Sequence, residues 1–148
     1  MNTVWLDMDG TIANFYGVEN WLEDLQTGKT RPYEIAKSLY DSKDLNKVLF
    51  NLKARGYKVG IISWSAKCAT AEYTRRIKEA KIQWLKKQKI YNLLDEILIT
   101  EYGIRKADTC RKYGRGILVD DEQRNREEWN LGLAIDATEN ILDILEKL

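Results

Sequence analysis

Two pairs of carboxylates close two apolar runs. Val4-Trp5-Leu6 leads into Asp7-Met8-Asp9-Gly10-Thr11, and Gly116-Ile117-Leu118-Val119 leads into Asp120-Asp121. Apolar runs of this length read as buried strands, so both pairs stand at the carboxyl ends of interior strands. Carboxylates gathered there are costly unless a cation offsets them. A hard divalent ion such as Mg²⁺ suits the position, because it takes oxygen ligands and leaves room for phosphate oxygens and water. Gly10 allows backbone angles closed to other residues, so the chain can turn sharply and leave amides facing an anion. Asp120 and Asp121 are adjacent and point to opposite sides of an extended chain, so they are not equivalent ligands. Taken alone, Asp-Met-Asp-Gly is equally an ordinary strand end followed by a turn.

The chain contains no histidine. That removes the commonest general base and the commonest metal ligand together, and leaves acid/base work to Asp, Glu, Lys, Tyr or Cys. Cys68 and Cys110 form no Cys-x-x-Cys pair, which argues against zinc and for reduced thiols. A cleft holding several carboxylates and a phosphate dianion also needs a fixed cation besides the metal. Lys106, at the start of a short helix after Gly103, is the candidate; Arg105 takes its place if the register slips by one.

The elements that must position these groups follow in chain order. Phe15, Tyr16, Trp21, Tyr33 and Tyr40 mark an aromatic section read as two short helices joined near residues 27–31, with Gly28 and Pro32 as punctuation. Ser42-Lys43-Asp44-Leu45 opens a helix whose Leu45, Val48, Leu49 and Leu52 form one stripe ending at Gly56. Residues 57–62 are a second strand running into Ser63-Trp64-Ser65, with Ser65 as cap of the next helix. That helix is read over 67–89, with Tyr73, Ile77, Ile82 and Leu85 inward and many lysines and arginines outward. The run Lys86-Lys87-Gln88-Lys89 is read as a solvated face rather than an RNA contact. Strands at 97–100, 116–121 and 133–136 alternate with helices at 103–113, 122–130 and 140–148. Asn125 and Arg126 lie close enough in sequence to orient the acidic pair or bind substrate. Five strands alternating with helices predict an α/β sandwich, a parallel sheet covered on both faces, in which ligands bind beyond the strand carboxyl ends.

Asp7-Met8-Asp9-Gly10-Thr11 resembles the first motif of the haloacid-dehalogenase-like hydrolase superfamily, and three later motifs follow in order. A serine after the second strand (Ser63, beside Trp64) resembles the second, Lys106 the third and Asp120-Asp121 the fourth. Together they span residues 7–121. The resemblance implies a Rossmann-like sheet of order 5-4-1-2-3, one domain over 1–148, and a small helical cap inserted at about 13–41. It implies Mg²⁺ held by Asp7, the backbone carbonyl of Asp9, and the acidic pair, with Asp121 the direct ligand and Asp120 acting through water or by orienting its neighbour. Asp7 would attack phosphorus and Asp9 would serve as acid and then base. Gly10, Thr11, Ser63, Trp64 and Lys106 would hold the phosphate, and Phe15 and Tyr16 are the cap residues nearest the substrate. Thr11 and the second Asp favour phosphatase over dehalogenase. The small cap and the Val-Asp-Asp-Glu-x-Arg ending are similar to 5'-nucleotidase-like members, which implies a phosphorylated small molecule, a nucleotide, as substrate. The alternatives are a polynucleotide 3'-phosphatase and a catalytically silent regulatory module.

Composition agrees with a globular protein. Of 148 residues, 44% are hydrophobic, 32% charged and one is proline, which argues for one packed domain rather than linkers. Lys+Arg (24) balance Asp+Glu (23), so no net field recruits nucleic acid or a membrane surface. The N-terminus lacks the features of a signal peptide, and no apolar run is long enough to span a bilayer, so a cytoplasmic location is expected.

Overall fold

The computed structural model describes residues 2–148. Five strands, β1 Thr3–Leu6, β2 Lys58–Trp64, β3 Glu96–Thr100, β4 Gly116–Asp120 and β5 Ala134–Asp136, form one sheet of order β3-β2-β1-β4-β5. Every neighbouring pair is parallel, as expected for strands joined by helical crossovers. β1 lies at the centre between β2 and β4, which brings the Asp7 and Asp120 strand ends side by side.

The helices are α1 Trp21–Gln26, α2 Arg31–Ile35, α3 Ser42–Ala54, α4 Ala71–Lys87, α5 Lys106–Cys110, α6 Gln123–Glu128 and α7 Ile141–Glu146. Alternation along the strands divides the core into layers. Val4, Leu6, Val59, Ile61, Ile117 and Val119 face α3, α4 and α7, meeting Leu49, Leu85 and Leu145. Trp5, Ile62 and Leu118 face the other way, against Ala107 and Cys110 of α5 and Trp129. Trp5 is accommodated because β2 and β4 carry glycine beside it. A Cβ at Gly60 would lie 2.5 Å from its ring, and one at Gly116 would lie 2.9 Å away.

α3 begins at Ser42, as the sequence reads, whereas the start of α4 differs from the expectation. α3 is capped by Asp41, whose carboxylate accepts from the Lys43 and Asp44 amides. α4 begins at Ala71 rather than 67, because Thr70 caps it by accepting from the Tyr73 amide at 3.1 Å. Residues 65–70 are a loop, and Ser65 bonds the Thr74 hydroxyl instead of capping the helix. Ile82, expected inward, is only half-buried; Ala80, Lys81 and Trp84 take that face with Tyr73, Ile77 and Leu85.

Between β1 and α3 lie a 3-10 turn at Phe15–Gly17 and helices α1 and α2. Their aromatic residues stack, with Phe15 and Tyr33 ring centroids 4.7 Å apart, and Phe15 and Tyr33 form one small core with Ile77 of α4. Cys68 is exposed, Cys110 is buried, and both are free. Among the described residues no helix is long and apolar enough to cross a membrane.

Candidate active site

β1 ends at Leu6, but Asp7 still pairs its amide with the Val119 carbonyl at 3.0 Å, which holds it in register with β4. The chain then folds back on itself: the amides of Thr11, Ile12 and Ala13 all converge on the Met8 carbonyl. Gly10 permits this turn with φ of +83°, a region open to glycine. It is also pressed against the second acidic tip, for a Cβ here would collide with the Asp121 carboxylate. The Gly10 amide donates to the Ala13 carbonyl and the Thr11 amide to Met8, so these two groups are closed within the turn rather than left facing an anion as the sequence suggested.

Asp7, Asp120 and Asp121 each offer a carboxylate oxygen, and the three oxygens lie within 4.8 Å of one another. Lys106, the first residue of α5, crosses the gap: its Nζ donates to Asp7 Oδ1 at 2.9 Å and to Asp120 Oδ2 at 2.6 Å. Asp120 is wholly buried, at 0% exposure. Both its oxygens are engaged, since Oδ2 also accepts from Asn125 and Oδ1 from the Glu122 amide. Arg126 donates to the Asp120 carbonyl, so both residues singled out after the fourth strand hold the same acid in place. Asp121 points the other way, as adjacent residues must, and lines a cleft of about 370 Å³ together with Asp7, Asp9, Ser63 and Lys106. Thr11 is fully buried beneath the pair, its hydroxyl placed 3.1 Å from Asp7 Oδ2 and 3.2 Å from Asp121 Oδ1.

Asp9 does not join the acidic trio. Its carboxylate turns toward α4, where Lys81 Nζ donates to Oδ2 at 3.1 Å. Lys81, on a helix whose sequence places many lysines and arginines outward, is instead 1% exposed. The signal was present, since Lys81 stands four residues after Ile77 and four before Leu85, on the apolar stripe itself. Trp64 gives its indole N–H to the Ile104 carbonyl at 2.8 Å and presents its ring to the cleft, 5.4 Å from Lys106 Nζ. Phe15 is buried against Tyr33, while Tyr16 (49% exposed), Leu22 (52%) and Tyr102 (49%) stand at the cleft's rim.

The electrostatics follow from this crowding. Burial pushes Asp121 up to about 7, with the charge of Asp7 adding to the effect. Burial also lifts Asp120, again helped by Asp7 and opposed by Lys106. Asp9 is raised by burial against the pull of Lys81. Burial alone would lower Lys106, but the charges of Asp7 and Asp120 outweigh it and hold the ammonium charged. Carboxylates raised in the folded chain keep protons that the unfolded chain has released, so in this window the native state binds more protons. Without a divalent cation, stability is therefore expected to fall as pH rises from about 4, the ordinary carboxylate value, to about 7. Mg²⁺ should flatten that decline. Thermal melts across this range in EDTA and in Mg²⁺ check the sign; a metal-free protein that gains stability over the same interval would contradict it.

The donor set suits a hard cation: three clustered carboxylates, with no histidine or cysteine in the group among the described residues, and a buried ammonium that offsets only part of their charge. Comparison of the chain with family models, with curated proteins and with solved structures finds no match.

Proposed function

We propose that the protein is a Mg²⁺-dependent phosphomonoester hydrolase working through an aspartyl-phosphate on Asp7. The observation that carries this reading is the meeting of Asp7, Asp120 and Asp121 around one point, bridged by Lys106, at the mouth of a cleft. The four motifs resembling the haloacid-dehalogenase-like hydrolases supply the same residues in the same order.

Asp7 and Asp121 would hold the ion with their carboxylates and Asp9 with its backbone carbonyl. Asp120, whose oxygens are already engaged, would act by orienting its neighbours. Bound there, Mg²⁺ supplies charge neutralisation between the nucleophile and an incoming dianion. Asp7 attacks phosphorus, forming a P–O bond as the ester P–O bond breaks. Asp9 gives its proton to the departing oxygen, then accepts one from the water that splits the aspartyl-phosphate. The raised pKa of Asp9 suits the first of these duties. Lys106 and Ser63 stabilise the phosphoryl oxygens.

The aromatic wall of Phe15, Tyr16, Trp21, Tyr33 and Trp64 supports a substrate with a planar, stackable part, and a nucleoside monophosphate is the class we favour. One observation favours a larger substrate, a phosphorylated polynucleotide end. A second cavity of about 600 Å³ shares Leu22, Leu25, Ala66 and Lys67 with the first and continues it along the start of α4.

The test is hydrolysis of p-nitrophenyl phosphate, then of a panel of nucleotides, sugar phosphates and 3'-phosphorylated oligonucleotides. Turnover in Mg²⁺ should drop by about a hundredfold or more in EDTA and return when Mg²⁺ is restored. A protein inert toward the whole panel would overturn the reading.

A further inference from the structure

Two buried ammonium groups stand at the cleft, Lys106 in its lining and Lys81 behind it, and they are spent differently. Lys106 gives two N–H bonds, to Asp7 and Asp120, and its third proton meets no acceptor among the described residues. Lys81 gives all three: to Ser63 Oγ at 2.6 Å, to the Trp64 carbonyl at 2.9 Å and to Asp9 Oδ2 at 3.1 Å. A lysine ammonium has three donors and no acceptor, so Lys81 has nothing left for a ligand. Pairing all three protons offsets the cost of burying the ammonium at such depth, and its three acceptors tie α4 to the ends of β1 and β2.

The consequence falls on the acceptors. Ser63 receives a bond from Lys81, while its own O–H finds no acceptor among the described residues although the residue lines the cleft. With the oxygen facing Lys81 engaged as acceptor, the single hydroxyl proton is left for the cleft. Asp9 is pinned at Oδ2, and its Oδ1 has no partner among the described residues. In the absence of the ammonium, the Ser63 hydroxyl would turn and donate to the vacated Trp64 carbonyl or Asp9 carboxylate, and the cleft would lose a donor.

We propose that Lys81 is a positioning residue that makes Ser63 a hydrogen-bond donor to the phosphoryl group and holds Asp9 with its free Oδ1 toward the leaving oxygen. This rests on the phosphatase reading and adds to it a cation that touches no substrate. The four-motif resemblance contains one lysine, which Lys106 fills, and assigns nothing to the helix that carries Lys81.

Kinetics of the parent, Lys81→Met, Ser63→Ala and the double variant test the inference, using p-nitrophenyl phosphate and an alkyl phosphate, with folding followed by circular dichroism. Each single change should lower kcat by about ten- to a hundredfold. The double variant should be no slower than Lys81→Met, because both changes remove the same donor. The loss in Lys81→Met should be larger on the alkyl ester, whose poor leaving group depends more on the proton from Asp9. Lys81→Leu, likewise without a donor, gives the same cycle if the methionine variant does not fold. Losses that multiply, or an active parent whose Lys81 variants stay within twofold of it on both esters, would overturn the inference and leave the phosphatase reading standing. An inert parent would remove both.

Discussion

Asp7→Asn is expected to lower turnover of p-nitrophenyl phosphate by at least about ten-thousandfold, the scale seen when a nucleophile is removed from a preorganised site, while the protein stays folded. No neighbouring carboxylate can substitute. Asp120 is buried with both oxygens engaged, Asp9 is tied to Lys81, and Asp121 is held by Thr11. Asparagine matches the shape: its carbonyl oxygen at the Oδ1 position can accept from Lys106, and its NH2 at the Oδ2 position can donate to the Thr11 hydroxyl oxygen, whose own proton then goes to Asp121. Losing one negative charge also relieves the repulsion that raises Asp120 and Asp121. Thermal melting should shift by only a few degrees, so loss of activity with retained cooperativity is the expected pair of results. An Asp7→Asn protein with parental rates would eliminate covalent catalysis at this position. A parent as inert as the variant would favour the silent module.

Lys106→Met should show the opposite balance, with both stability and rate reduced. The ammonium is 2% exposed and bridges two buried carboxylates. Its removal leaves Asp7 and Asp120 without their fixed counter-charge, a loss on the order of 3 kcal/mol for a broken buried pair. Asn125 and the Glu122 amide still satisfy Asp120, which keeps the estimate at the low end of the usual range. Turnover should fall by about a thousandfold, since the same group stabilises the phosphoryl charge. Urea unfolding with and without Mg²⁺ separates the two effects: the ion should restore part of the lost stability and little of the rate. Unchanged stability in the absence of metal would contradict the bridging role.

The paired acidic tips were legible because they depend on short local signals, whereas the strand order was implied by the resemblance of the four motifs and not by the local pattern. Apolar runs ending in Asp are read without knowing what packs on them, and the parallel sheet follows from alternation with helices. The inequivalence of Asp120 and Asp121 followed from the two-residue period of an extended chain, and the structure sends one toward Asn125 and the other toward the cleft. Lys81 escaped because α4 is rich in charge. Seven of its 17 residues are Lys, Arg or Glu besides Lys81 itself, and a lysine on the apolar stripe is hidden among lysines on the wet face unless the stripe is followed residue by residue. Its partners, Ser63 and Asp9, lie 18 and 72 positions away, and local patterning carries no record of such separations. The start of α4 was misplaced because Ser65 and Thr70 are both competent caps; the choice falls to the loop that carries the chain from β2 over the cleft. The closing of the Gly10 and Thr11 amides on the turn depends on the path to Ala13, which composition does not specify.

The tight fit of Trp5 between Gly60 and Gly116 has a reach beyond packing. Those glycines do not line the cleft and lie toward the opposite end of the strands from it, yet the ring they accommodate stands two residues before Asp7 on the same strand. Any side chain at either position forces the indole aside and with it the central strand that aims the nucleophile. A map of inactivating substitutions should therefore include two sites remote from chemistry, and a designer grafting new specificity onto this scaffold has the rim to vary but must treat this glycine-flanked indole as fixed.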